Sequence, residues 1–251
     1  MNALTESLIV CGVSFAGVLA GALLRHILPR HLLSDEARDV VRLGTALIST
    51  IAALVLGLLI ASAKSSYEAQ SGHMKTLTTD VILLDRLLEQ YGPEAKLVRV
   101  HLRSVVGPMI ERIWGDNGSR WVTQAPFEPS ASAEGVYMEL LALATQSETQ
   151  RLLKGRAIEV ASDLARSRLL LFEEASSSIP LPFLAVLVFW LAIIFASFSL
   201  FARLNPAMMV ALFIFAVSAS GAIFLILELS QPFTGLMQIS SEPLRHALAP
   251  L

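Results

Sequence analysis

Hydrophobic positions along this chain gather into four unbroken blocks. They run over about residues 8–24 (LIVCGVSFAGVLAGALL), about 44–63, about 183–201 (FLAVLVFWLAIIFASFSLF) and about 207–227 (AMMVALFIFAVSASGAIFLIL). At a rise of about 1.5 Å per residue each is long enough to cross roughly 30 Å of hydrocarbon as a helix. None contains Asp, Glu, Lys, Arg or His. Between the second and third blocks the pattern changes. Met74, Leu77, Val81, Leu84 and Leu88 are spaced by three or four residues, the mark of an amphipathic helix. The pattern predicts an all-α polytopic membrane protein with four transmembrane helices and a helical soluble insert between spans two and three. Its parts are a hairpin over 1–63, the insert over 64–182, a second hairpin over 183–227 and a tail over 228–251.

Punctuation refines this outline. No proline falls between 44 and 92, and Gly92-Pro93 then stops the chain, so span two is expected to continue into the insert as one helix. Further helices are expected over 94–114, with a bend at Gly107-Pro108, and over about 133–147 and 149–177. Residues 115–132 read as a loop, and Asn117-Gly118-Ser119 in it reads as a tight turn rather than a glycosylation acceptor. Residues 202–206 link spans three and four so briefly that the two must be antiparallel neighbours, with Asn205-Pro206 suited to starting the fourth. Between spans one and two, Ser34 followed by Asp35 and Glu36 predicts a capped short helix at the membrane interface.

Composition agrees. The 251 residues are 54% hydrophobic and 16% charged, and the mean hydropathy is +0.63; a soluble domain carries about 25% charged residues. The first block follows MNALTES, which lacks Lys and Arg, and precedes Arg25 and Arg30. It therefore reads as a retained span and not a signal peptide. The net charge of −2 gives no basis for nucleic-acid binding. Arg25, Arg30, Arg38 and Arg42 in the first link and Arg203 in the last favour cytoplasmic short loops and an extracytoplasmic insert, against which stand Lys64, Lys75, Arg166 and Arg168.

Candidate chemistry is sparse. The five histidines (26, 31, 73, 101 and 246) show no metal-binding spacing, and no metal or cofactor is expected. No nucleophile elbow, phosphate loop or dinucleotide fingerprint is present, so no constellation supports an enzyme. Asp80 with Asp85, and Glu173 with Glu174, read as carboxylates on helix faces. Cys11 reads as a small apolar side chain within span one.

The spans themselves carry more information. Ser49, Ala53, Gly57, Ala61 and Ser65 form a four-residue ladder of small side chains in span two; span one has Gly12, Ala16, Ala20, Gly17 and Gly21; span four has Ser218, Ala219, Gly221 and Ala222. In lipid, close packing of small residues drives helix association. The ladders suit either a single four-span bundle or several copies meeting along span two. In the second case Thr45, Ser49, Thr50, Ala53, Gly57 and Ser62 are pore-lining candidates. Ile51, Val55 and Leu58 would then form a dewetting constriction, and Arg42 and Lys64 would charge the two mouths.

After span four comes Glu228-LSQPFTGLMQISSEPL, including Pro232, Phe233 and Gly235. An acidic residue, then P-F-x-G, then a Ser-Glu-Pro end directly after a last span resembles the signature of a group of bacterial membrane proteins termed bestrophin-like. The order of two spans, helical insert and two spans is similar as well. The resemblance implies kinship with bestrophins, oligomeric anion channels whose second span lines the pore. It differs in three respects: the bestrophin insert is cytoplasmic, its calcium-binding acidic cluster has no counterpart here, and span two here has no Phe, Tyr or Trp. On the residues' own terms, Pro232 ends the helix, Phe233 suits the headgroup level and Gly235 permits a turn. The expected function is passive ion permeation, anion-leaning, by a homo-oligomer in the bacterial inner membrane, with lipid and ions as partners. The competing expectation is a non-conducting scaffold or sensor whose insert binds another protein. Charge-free spans disfavour a coupled transporter.

Overall fold

A computed structural model of the chain describes residues 3–29, 34–114, 131–176, 181–201 and 205–247. The expected loop over 115–132, for all but its last two residues, the turn at Asn117-Gly118-Ser119, and Arg30, His31 and Arg203 lie outside them. The elements are α1 (Ala3–Ile27), α2 (Asp35–Tyr91), a 3₁₀ turn (Pro93–Ala95), α3 (Lys96–Trp114), α4 (Ala131–Ala142), α5 (Glu148–Ser176), α6 (Leu181–Phe201), α7 (Pro206–Leu229) and α8 (Glu242–Ala247). Four of them, α1, α2, α6 and α7, are long and apolar enough to cross a membrane, and among the described residues there is no strand.

Local chemistry accounts for most boundaries. Ser34 Oγ accepts the Ala37 N–H at 3.3 Å, capping α2. The short interfacial helix expected here is not separate: it is the first turns of α2, because nothing between Ser34 and span two breaks the helix. At 57 residues, α2 is about 85 Å long. It ends where Gly92 takes φ 115°, a conformation that glycine alone adopts without strain, and Pro93 follows. The Asn205 side chain accepts the Met208 N–H at 2.8 Å, with Pro206 in the first helical position, which starts α7 where the sequence placed it. α4 ends at Ala142, short of the expected 147, and Lys154 Nζ donates to the carbonyls of Leu141 and Leu143 at its end.

The chain divides into two compact units. The first comprises residues 1–66 and 178–230, the second 67–177 and 231–251. In the first unit, α1 buries Ser7, Val10, Ser14, Gly17 and Gly21 along one row and packs on α6 and α7. The approach to α6 is close. A Cβ at Gly17 would lie 2.5 Å from the Ala192 carbonyl oxygen, and one at Gly21 would collide with the Ala196 carbonyl and Ser199 Oγ. Ser199 Oγ donates to the Val18 carbonyl at 2.7 Å, and Ser220 Oγ of α7 donates to the Ser7 carbonyl. Small residues admit the backbones, and hydroxyls then bridge them; both replace the hydrophobic force that lipid does not supply. One side of α2 joins this bundle through Ala52, Leu59 and Ala63, which cluster with Val10, Leu187, Ile194, Ile223 and Ile226.

In the second unit, residues 67–91 of α2 pack with α3, α4, α5 and the tail. Leu84, Leu88, Val98, Leu102, Val136, Leu140, Ala157 and Val160 form one cluster; Met74, Leu77, Val81, Val106, Ile110, Leu171, Phe233 and Leu244 form the other. The 74-77-81-84-88 row is buried throughout. The tail, read from sequence as a separate piece, supplies part of this core.

The unequal surroundings of the glycines give a direct test. Gly21→Val overpacks the α1–α6 contact and should cost about 1–3 kcal/mol. Gly57, beside which a Cβ would meet nothing within 4 Å, should accept alanine within about 0.5 kcal/mol. Thermal unfolding of the detergent-purified proteins checks both.

Candidate functional site: the open face of α2

Within the first unit α2 is packed on one side only. Of its most apolar stretch 17% is buried inside the chain, compared with 33% in α1 and α7 and 22% in α6. The buried side is a seven-residue repeat, Thr45, Ala52 and Leu59 with Ala63, flanked by half-buried Ile48, Ser49, Val55, Leu56 and Ile60. The opposite side is exposed and is not uniform. Helical spacing divides it into two stripes. One is Arg42, Ala46, Thr50, Ala53, Gly57, Ala61 and Lys64: small or hydroxylated, with a cation at each end. The other is Leu43, Leu47, Ile51, Leu54 and Leu58, with Leu47 64% and Leu54 70% exposed.

The residues singled out from sequence therefore do not share a face. Thr50, Ala53, Gly57, Arg42 and Lys64 lie together on the small stripe. Ile51 and Leu58 lie on the aliphatic stripe, with Ser62 beside it. Thr45 is 7% exposed and turned into the protomer; Ser49 and Val55 are half-buried on that same side. The sequence ladder of four-residue steps drifts around the helix, because four residues overshoot a turn of 3.6. The steps of three and four that stay on one face pick out Ala46 and Ala61, which the ladder either missed or left unweighted. The hydroxyls do not demand water: Thr50 Oγ1 donates to the Ala46 carbonyl at 3.0 Å and Ser49 Oγ to the Thr45 carbonyl at 2.7 Å.

In the second unit, charge concentrates between α2 and α3. Asp85, 8% exposed in its side chain, accepts paired bonds from Arg99 (2.8 and 2.8 Å) and from Arg103 (3.2 and 3.1 Å). Arg99 also reaches Glu89 at 3.1 Å, and Arg86 reaches Glu89 at 3.0 Å. Burial alone would raise the Asp85 carboxyl, but the hydrogen bonds from the two guanidiniums outweigh it and hold the group below the ordinary carboxylate range. Glu89 is lowered by its bond from Arg86 and by the charge of Arg99. Every acceptor site of Asp85 is occupied by cations, which leaves no role for it in acid–base chemistry. Among the described residues no three His, Cys, Asp or Glu side chains are grouped to hold a metal ion.

The tail motif closes on the second unit. Ile239 N–H donates to the Pro232 carbonyl at 2.7 Å, and Gly235 takes φ 89° within the turn so formed. Phe233 is not a headgroup anchor. It is 6% exposed, stacked edge-on to Trp114 with ring centroids 5.7 Å apart, and Trp114 Nε1 donates to the Ile239 carbonyl at 2.7 Å. An aromatic ring gains more from this apolar pocket than from the wet headgroup region, so the motif is a clasp. Glu228, the acidic residue that opens the motif, is buried at the end of α7 in the first unit.

Two outcomes follow from these contacts. Phe233→Ala should lower stability by about 3–4 kcal/mol through the cavity it leaves, measured by denaturant or thermal unfolding. Asp85→Asn should cost roughly 2–3 kcal/mol at neutral pH, less than a fully buried ion pair because both arginines remain partly exposed. Since folding lowers the Asp85 titration point, this contribution is complete above about pH 4 and is lost as the pH falls through the folded value. The gap between wild type and Asp85→Asn should therefore close in acid.

Comparison with known proteins bears on the whole arrangement. The Bestrophin-like domain family matches residues 12–244. Two solved variants of a bacterial bestrophin homologue from Klebsiella pneumoniae share the fold, each with a TM-score of 0.65. One is 12% identical, covering 98% of this chain and 94% of that one; the other is 13% identical, covering 95% and 94%. No match to a curated protein was found. With the family domain running from within α1 to within α8, the chain belongs to the Bestrophin-like family.

Proposed function

We propose that this protein is an oligomeric membrane channel for passive ion flow, with α2 of each copy facing a shared axis. The observation that carries the reading is the half-packed state of α2: a membrane helix with one side closed by its own chain and the other side open and divided in two. The small, hydroxyl-bearing stripe from Ala46 to Ala61 lines the path. The aliphatic stripe, Leu47, Ile51, Leu54 and Leu58, lies against the neighbouring copy. In this arrangement the narrowing falls at Thr50, the bulkiest member of the small stripe between its charged ends, and not at Ile51, Val55 and Leu58. Arg42 and Lys64, one at each end of the stripe, raise the local concentration of anions. Kinship with bestrophins supports the same sign. Spans without ionisable residues suit a passive path and supply no group to couple one flux to another.

Purified protein in chloride-loaded liposomes tests this. Chloride should leave faster than from empty vesicles, and Gly57→Trp should abolish the leak while the protein keeps its fold and oligomer size, because nothing in the protomer lies within 4 Å of a Cβ there. A monomeric particle with no flux at any voltage would favour the scaffold reading instead.

A further inference from the structure

In the second unit, α2 and α5 meet along a seam that carries proton-binding groups from both helices. His73 Nε2 of α2 lies 3.5 Å from Glu174 Oε1 of α5, a pair that is ionic only when the imidazole is protonated. Seven residues further along α2, Asp80 faces the α5 carboxylate Asp163. Asp80 Oδ2 is buried, with no hydrogen-bond partner among the described residues. Its surroundings do not compensate the charge. Leu77 and Val81 flank it on α2 and belong to the apolar cluster that includes Leu171 of α5, Val106 and Ile110 of α3, and Phe233 and Leu244 of the tail. Of the α3 cations, Arg99 and Arg103 are engaged by Asp85. On α5, Arg166 and Arg168 flank the buried Ser167.

We propose that the α2–α5 seam is an acid-tightened latch, in which protonation of Asp80 draws α5 onto α2. A proton on Asp80 removes a poorly solvated negative charge opposite Asp163 and converts Oδ2 from an unmatched acceptor into a potential donor. Burial, and then the Asp163 charge, raise the Asp80 carboxyl above its ordinary value. Folding therefore strengthens proton binding there, so this contribution is fully present below the ordinary carboxylate value near pH 4 and is lost as the pH rises through the folded titration point. The Asp85 cluster between α2 and α3 responds with the opposite sign and at lower pH, so the two can be told apart.

Amide hydrogen exchange of α5 in the full-length protein, corrected for intrinsic rates, reads the latch directly. Protection of α5 should be about threefold or more higher near pH 4 than near pH 8. Asp80→Asn should slow α5 exchange at the higher pH toward the acid value, because it removes the charge without changing the shape. The proposal is overturned if α5 protection in the wild type is the same at both pH values, or if Asp80→Asn leaves α5 exchange at the higher pH unchanged or faster. Should Asp80→Asn not yield folded protein, Asp163→Asn, which removes the opposing charge, should likewise slow α5 exchange at the higher pH, and exchange there unchanged or faster would be equally fatal.

Discussion

The close contact of α1 with α6 sets the terms for the rest of the membrane unit. Gly17 and Gly21 let two backbones approach until a methyl group would collide, and Ser199 and Ser220 bridge α6 and α7 to carbonyls of α1. That packing ties α1, α6 and α7 together and offers α2 a single surface. A helix seated on one surface cannot bury its whole circumference, and the uncovered part of α2 is patterned rather than uniformly greasy. Lipid would accept Leu47 and Leu54 without asking for the adjoining row of Ala46, Thr50, Ala53, Gly57 and Ala61. The two stripes make sense together if two different environments meet on this helix, one of them another copy and the other a path for ions.

The second unit is held by different forces. Its apolar clusters follow the spacing of the 74-77-81-84-88 row, and polar contacts tie its segments together: Asp85 is held by two arginines of α3, and Trp114 donates to the Ile239 carbonyl of the tail. The tail belongs to this core through Phe233 and Leu244. Removing it would open an apolar pocket, which explains why a segment short of regular structure carries the most distinctive residues of the chain.

Much of the fold was legible in the sequence, because hydrophobic blocks, Gly92-Pro93 and Asn205-Pro206 act through local chemistry. The unbroken α2 was legible from the missing prolines. What was not legible was facing. A run without charges has no polar side to contrast with its apolar one, so residue type alone does not say which side of span two the protomer covers. Hence Thr45 and Gly57 looked alike, although one is buried and the other opens on space. The destination of Phe233 was hidden for a related reason: an aromatic after a last span suits a headgroup layer or a pocket equally, and only Trp114, 119 residues earlier in the chain, decides between them. The small-residue ladders carried the same ambiguity. That of α1 is divided, Gly17 and Gly21 being consumed inside the protomer while Gly12, Ala16 and Ala20 stay exposed, and most of that of α2 is left open.

Water access along α2 is the most direct test of the central claim. In a Cys11→Ser background, single cysteines would replace Leu47, Thr50, Ala53, Leu54 and Gly57 in the membrane-embedded protein, and a small charged thiol reagent would be applied. The account predicts reaction at Thr50→Cys, Ala53→Cys and Gly57→Cys, with Leu47→Cys and Leu54→Cys protected. Uniform protection, or reaction confined to the leucine positions, would contradict it.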